Sequence, residues 1–204
     1  MREYEKIQSI YKRDDKTHRF IDEQWSTPEI AYLAECEWEW TEKVDGTNIR
    51  VGWNGAIVEL GGRTAAAQIQ ASLIARLQEL FPSTIFAAYP AGIVLYGEGY
   101  GAKVQKGGEN YKANGVDFVL FDVLVGDWWL LHEDVEDVAR QLGIATVPVI
   151  GRGPISQAVD IVRGGFPSKW GAFPAEGLVL RTPVGLCGRN GHRVLAKLKT
   201  KDWA

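Results

Sequence analysis

The sequence predicts an α+β fold of mostly antiparallel sheets with packed helices, and three observations carry the prediction. Short runs of alternating apolar and polar residues recur along the chain, Asn54-Gly55 joins two of them, and stretches at helical spacing are inserted only at intervals. Trp38 to Glu42 and Asn48 to Trp53 alternate as strands do. Asn54-Gly55 ahead of Ala56-Ile57-Val58-Glu59-Leu60 is a hairpin signal, which makes this beginning antiparallel. Gly61-Gly62-Arg63-Thr64 breaks the strand pattern. Ala65 to Leu80 then reads as a helix, with Ile69, Leu73, Ile74, Leu77 and Leu80 at helical spacing and Thr64 as its N-cap. Further strands are predicted at Gly92 to Tyr96, Val116 to Val125, Trp128 to Leu131, Thr146 to Ile150, Gly177 to Arg181 and Val194 to Leu198. Helices are predicted at Glu133 to Leu142 and Ile155 to Val162.

The chain has 204 residues, 46% of them apolar and 24% charged, which suits one globular domain over 1–204 with a true core. No apolar run approaches the roughly 20 residues of a bilayer crossing, so no membrane partner is expected. Met1-Arg2-Glu3-Tyr4-Glu5-Lys6 lacks the apolar region of a secretion signal, and cytoplasm is the expected compartment. Cys36 and Cys187 have no Cys-x-x-Cys spacing, so neither a disulfide framework nor a zinc knuckle is expected.

The net charge of −3 hides an asymmetry. Residues 151–204 hold nine Lys or Arg against three Asp or Glu, whereas the first 150 hold 14 against 23. A basic third within an acidic chain suits a phosphate-rich ligand better than general adhesion to nucleic acid.

Four stretches carry chemistry. In Glu42-Lys43-Val44-Asp45-Gly46-Thr47-Asn48 a lysine sits between two strands; the plainer reading is a β-turn, the functional one a nucleophile. A nucleophilic lysine must shed its proton, which burial and neighbouring cations such as Lys197 and Lys199 favour. Tyr96-Gly97-Glu98-Gly99-Tyr100-Gly101-Ala102 sets a carboxylate between glycines that let a ligand approach the backbone. It matches Gly-x-Gly-x-x-Ala, but Gly107-Gly108 follows where a dinucleotide-binding turn requires a helix, so that reading is set aside. In Asp117-Phe118-Val119-Leu120-Phe121-Asp122 the two phenylalanines fall on opposite faces, one for the core and the other for a core neighbour or a purine ring. Glu176-Gly177-Leu178-Val179 and Lys197-Leu198-Lys199 form the fourth, and the two lysines project from one strand face about 7 Å apart.

In this order the segments resemble the covalent nucleotidyltransferases: ATP-dependent DNA and RNA ligases and mRNA capping enzymes. Lys43-Val44-Asp45-Gly46 is similar to the nucleophile motif, Gly97-Glu98-Gly99 to the third, Phe121-Asp122 to the adenine-stacking motif, Glu176-Gly177-Leu178-Val179 to the fourth and Lys197-Leu198-Lys199 to the fifth. Glu42, Asn48, Arg63 and the terminal Lys-x-Lys-Thr-Lys most resemble the phage type-two RNA ligases.

The resemblance implies a ligase-type nucleotidyltransferase (adenylation) domain that uses ATP and Mg²⁺ or Mn²⁺ to join 5′-phosphate and 3′-hydroxyl RNA ends. Its route is a lysyl-AMP intermediate, then an adenylylated 5′ end. Lys43 would carry AMP, while Lys197 and Lys199 would hold the α-phosphate. Glu176, and with it Glu98, would hold the metal, Glu98 having a ribose hydroxyl as its alternative. Arg63 would contact ribose or phosphate, Phe121 would stack on adenine, Glu42 would sit near the base edge and Asn48 would serve the nucleic-acid steps. Asp45 would orient the nucleophile or a water. The RNA partner is a nicked duplex or broken strand ends, with DNA as the alternative. Because the chain ends five residues after Lys199, no appended OB domain is expected, which leaves room for a separate partner that recognises ends. A minimal DNA ligase and a non-catalytic nucleotide- or nucleic-acid-binding module are the alternatives.

Overall fold

The computed structural model describes residues 1–17 and 19–203. In chain order the first elements are β1 (Gln8–Ser9), β2 (Tyr11–Arg13), β3 (Phe20–Trp25), α1 (Pro28–Tyr32), β4 (Trp38–Glu42), β5 (Thr47–Trp53), β6 (Val58–Gly62) and α2 (Ala71–Leu80). There follow β7 (Ile93–Gly101), β8 (Val116–Val125), β9 (Trp128–Trp129), α3 (His132–Leu142), β10 (Ala145–Thr146), β11 (Val149–Gly153), α4 (Ile155–Gly164), β12 (Gly177–Arg181) and β13 (Leu195–Lys199). The fold is α+β as expected, and only the two-residue pairings β1–β13 and β8–β10 are parallel among the described residues. None of the helices described is long and apolar enough to cross a membrane.

The chain forms two compact units: Met1–Glu5 with Asp45–Val147, and Lys6–Val44 with Pro148–Ala204. In the first unit the sheet order is β10-β8-β7-β5-β6, with β9 beside β8. Ile49, Val51, Leu95, Phe118 and Leu120 turn one face toward Leu73 and Leu77 of α2 and Val135 and Val138 of α3. The opposite face carries Asn48 and Glu98, because side chains alternate along a strand. The hairpin between β5 and β6 forms as predicted. Asn54 Oδ1 accepts the Ala56 and Ile57 N–H groups, each at 3.0 Å, and Gly55 takes the left-handed φ of +95° that this turn needs.

The second unit is built on the sheet β1-β13-β12-β4-β11. Trp38, Trp40, Leu178, Leu180, Ala196 and Leu198 cover one face and pack with Ile155, Val159 and Val162 of α4. The alternate residues Lys43, Val179, Lys197 and Lys199 therefore belong to the other face.

No element is expected before Trp38, where the structure has β1, β2, β3 and α1, and β7 runs on to Gly101 past the strand expected to end at Tyr96. Two further elements differ from expectation. The helix expected over Ala65 to Leu80 begins only at Ala71, with Gln70 rather than Thr64 at its N-cap. The Ala65 N–H is taken by Glu3 Oε1 at 2.8 Å, and Ala67 N–H closes a turn on the Thr64 carbonyl at 3.2 Å. Tertiary and turn contacts thus override the helix propensity of the three alanines. The strand expected over Thr146 to Ile150 is split between β10, in the first unit, and β11, in the second. Pro148 interrupts it, since proline has no N–H to give a ladder.

Candidate active site

The second unit assembles its chemistry at the ends of β4, β12 and β13. Leu178 lies opposite both Glu42 and Leu198, and Gly177 opposite Lys199. The Lys43 N–H extends this pattern by donating to the Gly177 carbonyl at 2.9 Å. Lys43 Nζ then donates to Glu176 Oε2 at 2.6 Å, while Lys199 Nζ lies 2.6 Å from Glu176 Oε1. A single carboxylate thus separates two ammonium groups. Glycine is required beside it: a Cβ on Gly177 would lie 2.0 Å from the Leu198 carbonyl oxygen. Thr200 holds the backbone of the same turn, its N–H on the Glu176 carbonyl at 3.0 Å and its hydroxyl on the Ala175 carbonyl at 3.2 Å.

Lys197 stands two residues before Lys199 and opposite Val179. Its ammonium is pushed down from 10.5 to about 8, first by burial and then by the positive charge of Lys199, Lys43, Lys6 and Arg13. The cationic neighbourhood expected around Lys43 is therefore expressed at Lys197.

Glu42 is buried, and alternation places it on the face of Trp38 and Trp40 while Lys43 belongs to the other. Its Oε1 accepts the Ser168 hydroxyl at 2.5 Å and its Oε2 the Lys169 N–H at 2.8 Å. In this geometry Glu42 pins the loop between α4 and β12. A lone serine in an irregular loop gave no signal for Ser168 in the sequence.

In the first unit Asn48 lies opposite Glu98 in the β5–β7 ladder. Asn48 Oδ1 is a buried acceptor for which the described residues provide no donor. Asp45 donates its backbone N–H to the Tyr111 hydroxyl oxygen at 3.3 Å, and Arg63 is exposed just after β6. The glycines around Glu98 have an internal use rather than the one expected. A Cβ on Gly97 would lie 2.2 Å from the Phe118 ring, and one on Gly99 2.4 Å from Leu73. They admit core side chains, so they are no sign of a ligand approaching the backbone.

Phe118 and Phe121 diverge as alternation requires. Phe118 is 2% exposed and meets Phe81 edge-on in the core, whereas Phe121 is half-buried and lies against Tyr4, with ring centroids 5.1 Å apart. A register shift opposite Tyr96 and Gly97 leaves Phe121 as the extra residue of a bulge, a device that re-aims a side chain. Tyr4 donates its hydroxyl to the buried Asp122 carboxylate, a pairing across 118 residues with no sequence signature.

The two carboxylates expected to hold a divalent cation belong to different units, Glu176 to the second and Glu98 to the first. Among the described residues no cluster of three or more His, Cys, Asp or Glu is placed to hold a metal. Glu176 still fits Mg²⁺ or Mn²⁺, since magnesium usually keeps several waters and takes one or two carboxylates beside substrate phosphates.

Residues 36–199 match the RNA ligase family. A comparison with curated protein sequences gave no significant match. Among solved structures the chain is similar to a Naegleria gruberi RNA ligase with PPi, at 21% identity and a TM-score of 0.70 over 86% of this chain and 53% of that one. Two variants of that ligase, one with ATP and Mn and one with AMP and Mn, match at 20% identity, with TM-scores of 0.70 and 0.69 and the same coverage. The likeness shows the fold, and this chain spans about half the length of those solved chains.

Proposed function

The chain belongs to the RNA ligase family, and from that premise we propose that it is an ATP-dependent RNA ligase acting as one adenylylation domain over 1–204. The observation that carries the proposal is the sharing of Glu176 between Lys43 and Lys199, each 2.6 Å from one of its oxygens. An amine, a carboxylate and two further lysines are the groups that attack at phosphorus demands. In the first step Lys43 Nζ bonds to the α-phosphorus of ATP as the bond to pyrophosphate breaks. The proton that must leave the ammonium has Glu176 Oε2 as its nearest acceptor. Lys199 and Lys197 neutralise the charge that builds on the phosphate oxygens. AMP then passes to a 5′-phosphate, and a 3′-hydroxyl attacks that end to seal the strand with release of AMP.

Glu176 would hold Mg²⁺ or Mn²⁺ through water or directly, and that ion, when bound, offsets phosphate charge. Phe121, Glu98 and Arg63 take the adenine, ribose and phosphate roles. Asn48, whose buried acceptor awaits a donor, is assigned to the nucleic-acid steps, and Asp45 to orienting the amine or a water. Bound structures of the Naegleria ligase with ATP, AMP and Mn support the choice of nucleotide and metal.

Intact mass after incubation with ATP and Mg²⁺ or Mn²⁺ tests the proposal. We expect a gain of one AMP that maps to Lys43, vanishes in Lys43→Ala and forms about 100-fold more slowly in Glu176→Gln. No gain with either metal would reduce the chain to a binding module. Sealing of nicked duplexes with RNA or DNA at the 3′-hydroxyl side then separates an RNA ligase from a minimal DNA ligase.

A further inference from the structure

We propose that Arg13 and Asp202 are positioning residues for Lys197 and Lys199, forming a brace that fixes the C-terminal end of β13 from outside the family-matched segment 36–199. The inference rests on the reading of those lysines as site residues. Asp202 is only 6% exposed, and its two oxygens are divided. Oδ1 takes the Arg13 guanidinium at 2.7 Å, while Oδ2 accepts the backbone N–H of Lys199 at 3.1 Å. The buried carboxylate is thus satisfied by one distant cation and by the main chain of the lysine that holds Glu176.

Arg13 is itself fixed on three sides. It donates to Ser9 Oγ at 3.2 Å, lies over the Phe20 ring at 4.6 Å and pairs with Asp202. Ser9 stands in register with Lys197, and the Ile10 N–H reaches the Lys197 carbonyl at 3.3 Å. Phe20 meets Trp203 edge-on at 5.2 Å, which closes the corner. The backbone of Lys197 is therefore held through β1, and that of Lys199 through Asp202. Arg13 joins the two. A carboxylate shared between Lys43 and Lys199 at 2.6 Å on each side leaves little tolerance for drift of β13, and drift is what the brace opposes.

Arg163 provides the control, because its guanidinium lies over Trp203 at 5.3 Å, at the same corner as Asp202. Arg13→Met and Asp202→Asn should each slow adenylylation by about 10- to 100-fold, the scale on which misplacement of an ångström acts, with the KM for ATP little changed. The double variant should be no slower than the worse single one, and Arg13→Lys should recover most of the rate. Arg163→Met should lower the melting temperature without slowing adenylylation. Hydrogen exchange of the peptide spanning 195–203 should quicken in Arg13→Met and Asp202→Asn, and this readout needs no activity. Rates in both variants within twofold of the parent protein would overturn the brace, as would slowing in Arg163→Met equal to theirs. If the parent protein takes up no AMP, the ligase reading falls, while exchange still decides the brace: faster exchange in the two variants supports it and unchanged exchange removes it.

Discussion

The β8 strand of the first unit and the β12–β13 pair of the second contrast in one respect, the regularity of their ladders. From Leu178 to Arg181 each residue of β12 meets its partners on β4 and β13 without a shift. Along β8 the core residues are first Val116, Phe118 and Leu120, and then Val123, because the register slips opposite Tyr96 and Gly97. An unbroken ladder makes sequence parity a reliable guide to which face a side chain takes. A bulge reverses that parity without a mark in the sequence, and here it falls at the aromatic residue proposed to stack on adenine.

The largest effect expected from this contrast lies on the core side of β8. Phe118→Ala should remove about 3–5 kcal/mol of stability in urea unfolding, because Gly97 leaves its Cβ position to that ring. Phe121→Ala should take away only about 1 kcal/mol, the worth of an aromatic pair, while raising the KM for ATP in adenylylation. Equal losses of stability would show that strand alternation does not separate the two rings.

A middling effect belongs to the pin beneath Lys43. Ser168→Ala leaves Glu42 Oε1 without its donor and should cost about 1–3 kcal/mol in the same unfolding experiment. No loss would mean that another donor, water included, serves Glu42 equally well.

A pH-dependent effect sharpens the regular half of the comparison. Lys197 loses its proton at about 8 in the folded protein against 10.5 in the open chain. Between those values the unfolded state binds the proton more strongly, so this group's contribution to stability improves as pH rises from about 8 toward 10.5 and is least favourable below 8. Lys197→Met should raise the melting temperature at pH 7 and flatten its rise from pH 8 to 10. A parallel pH profile in the variant would assign the rise to another group.

Much of the second unit's site could be read in advance for a physical reason. Lys197-x-Lys199 needs only strand alternation to put two cations on one face, and the Asn54-Gly55 hairpin needs only local backbone preference. Each depends on neighbours in sequence. The glycines around Glu98 misled because absent side chains look the same whether a ligand or a core ring fills the space. Helix α2 began late because Glu3, 62 residues away from Ala65, captured an amide that local propensity would have given to a helix.

By itself the sequence determined the β5–β6 hairpin and the β12 and β13 strands, the alternating faces and the residue types able to attack and neutralise a phosphate, since these depend on local periodicity and side-chain chemistry. Only tertiary structure decided that Glu176 is shared between Lys43 and Lys199, that Glu42 holds a loop and that Asp202 answers Arg13. Each of these is a contact between residues more than a hundred positions apart, except Lys199 with Glu176, and in every case the partner is fixed by sheet register and burial, which no local pattern encodes.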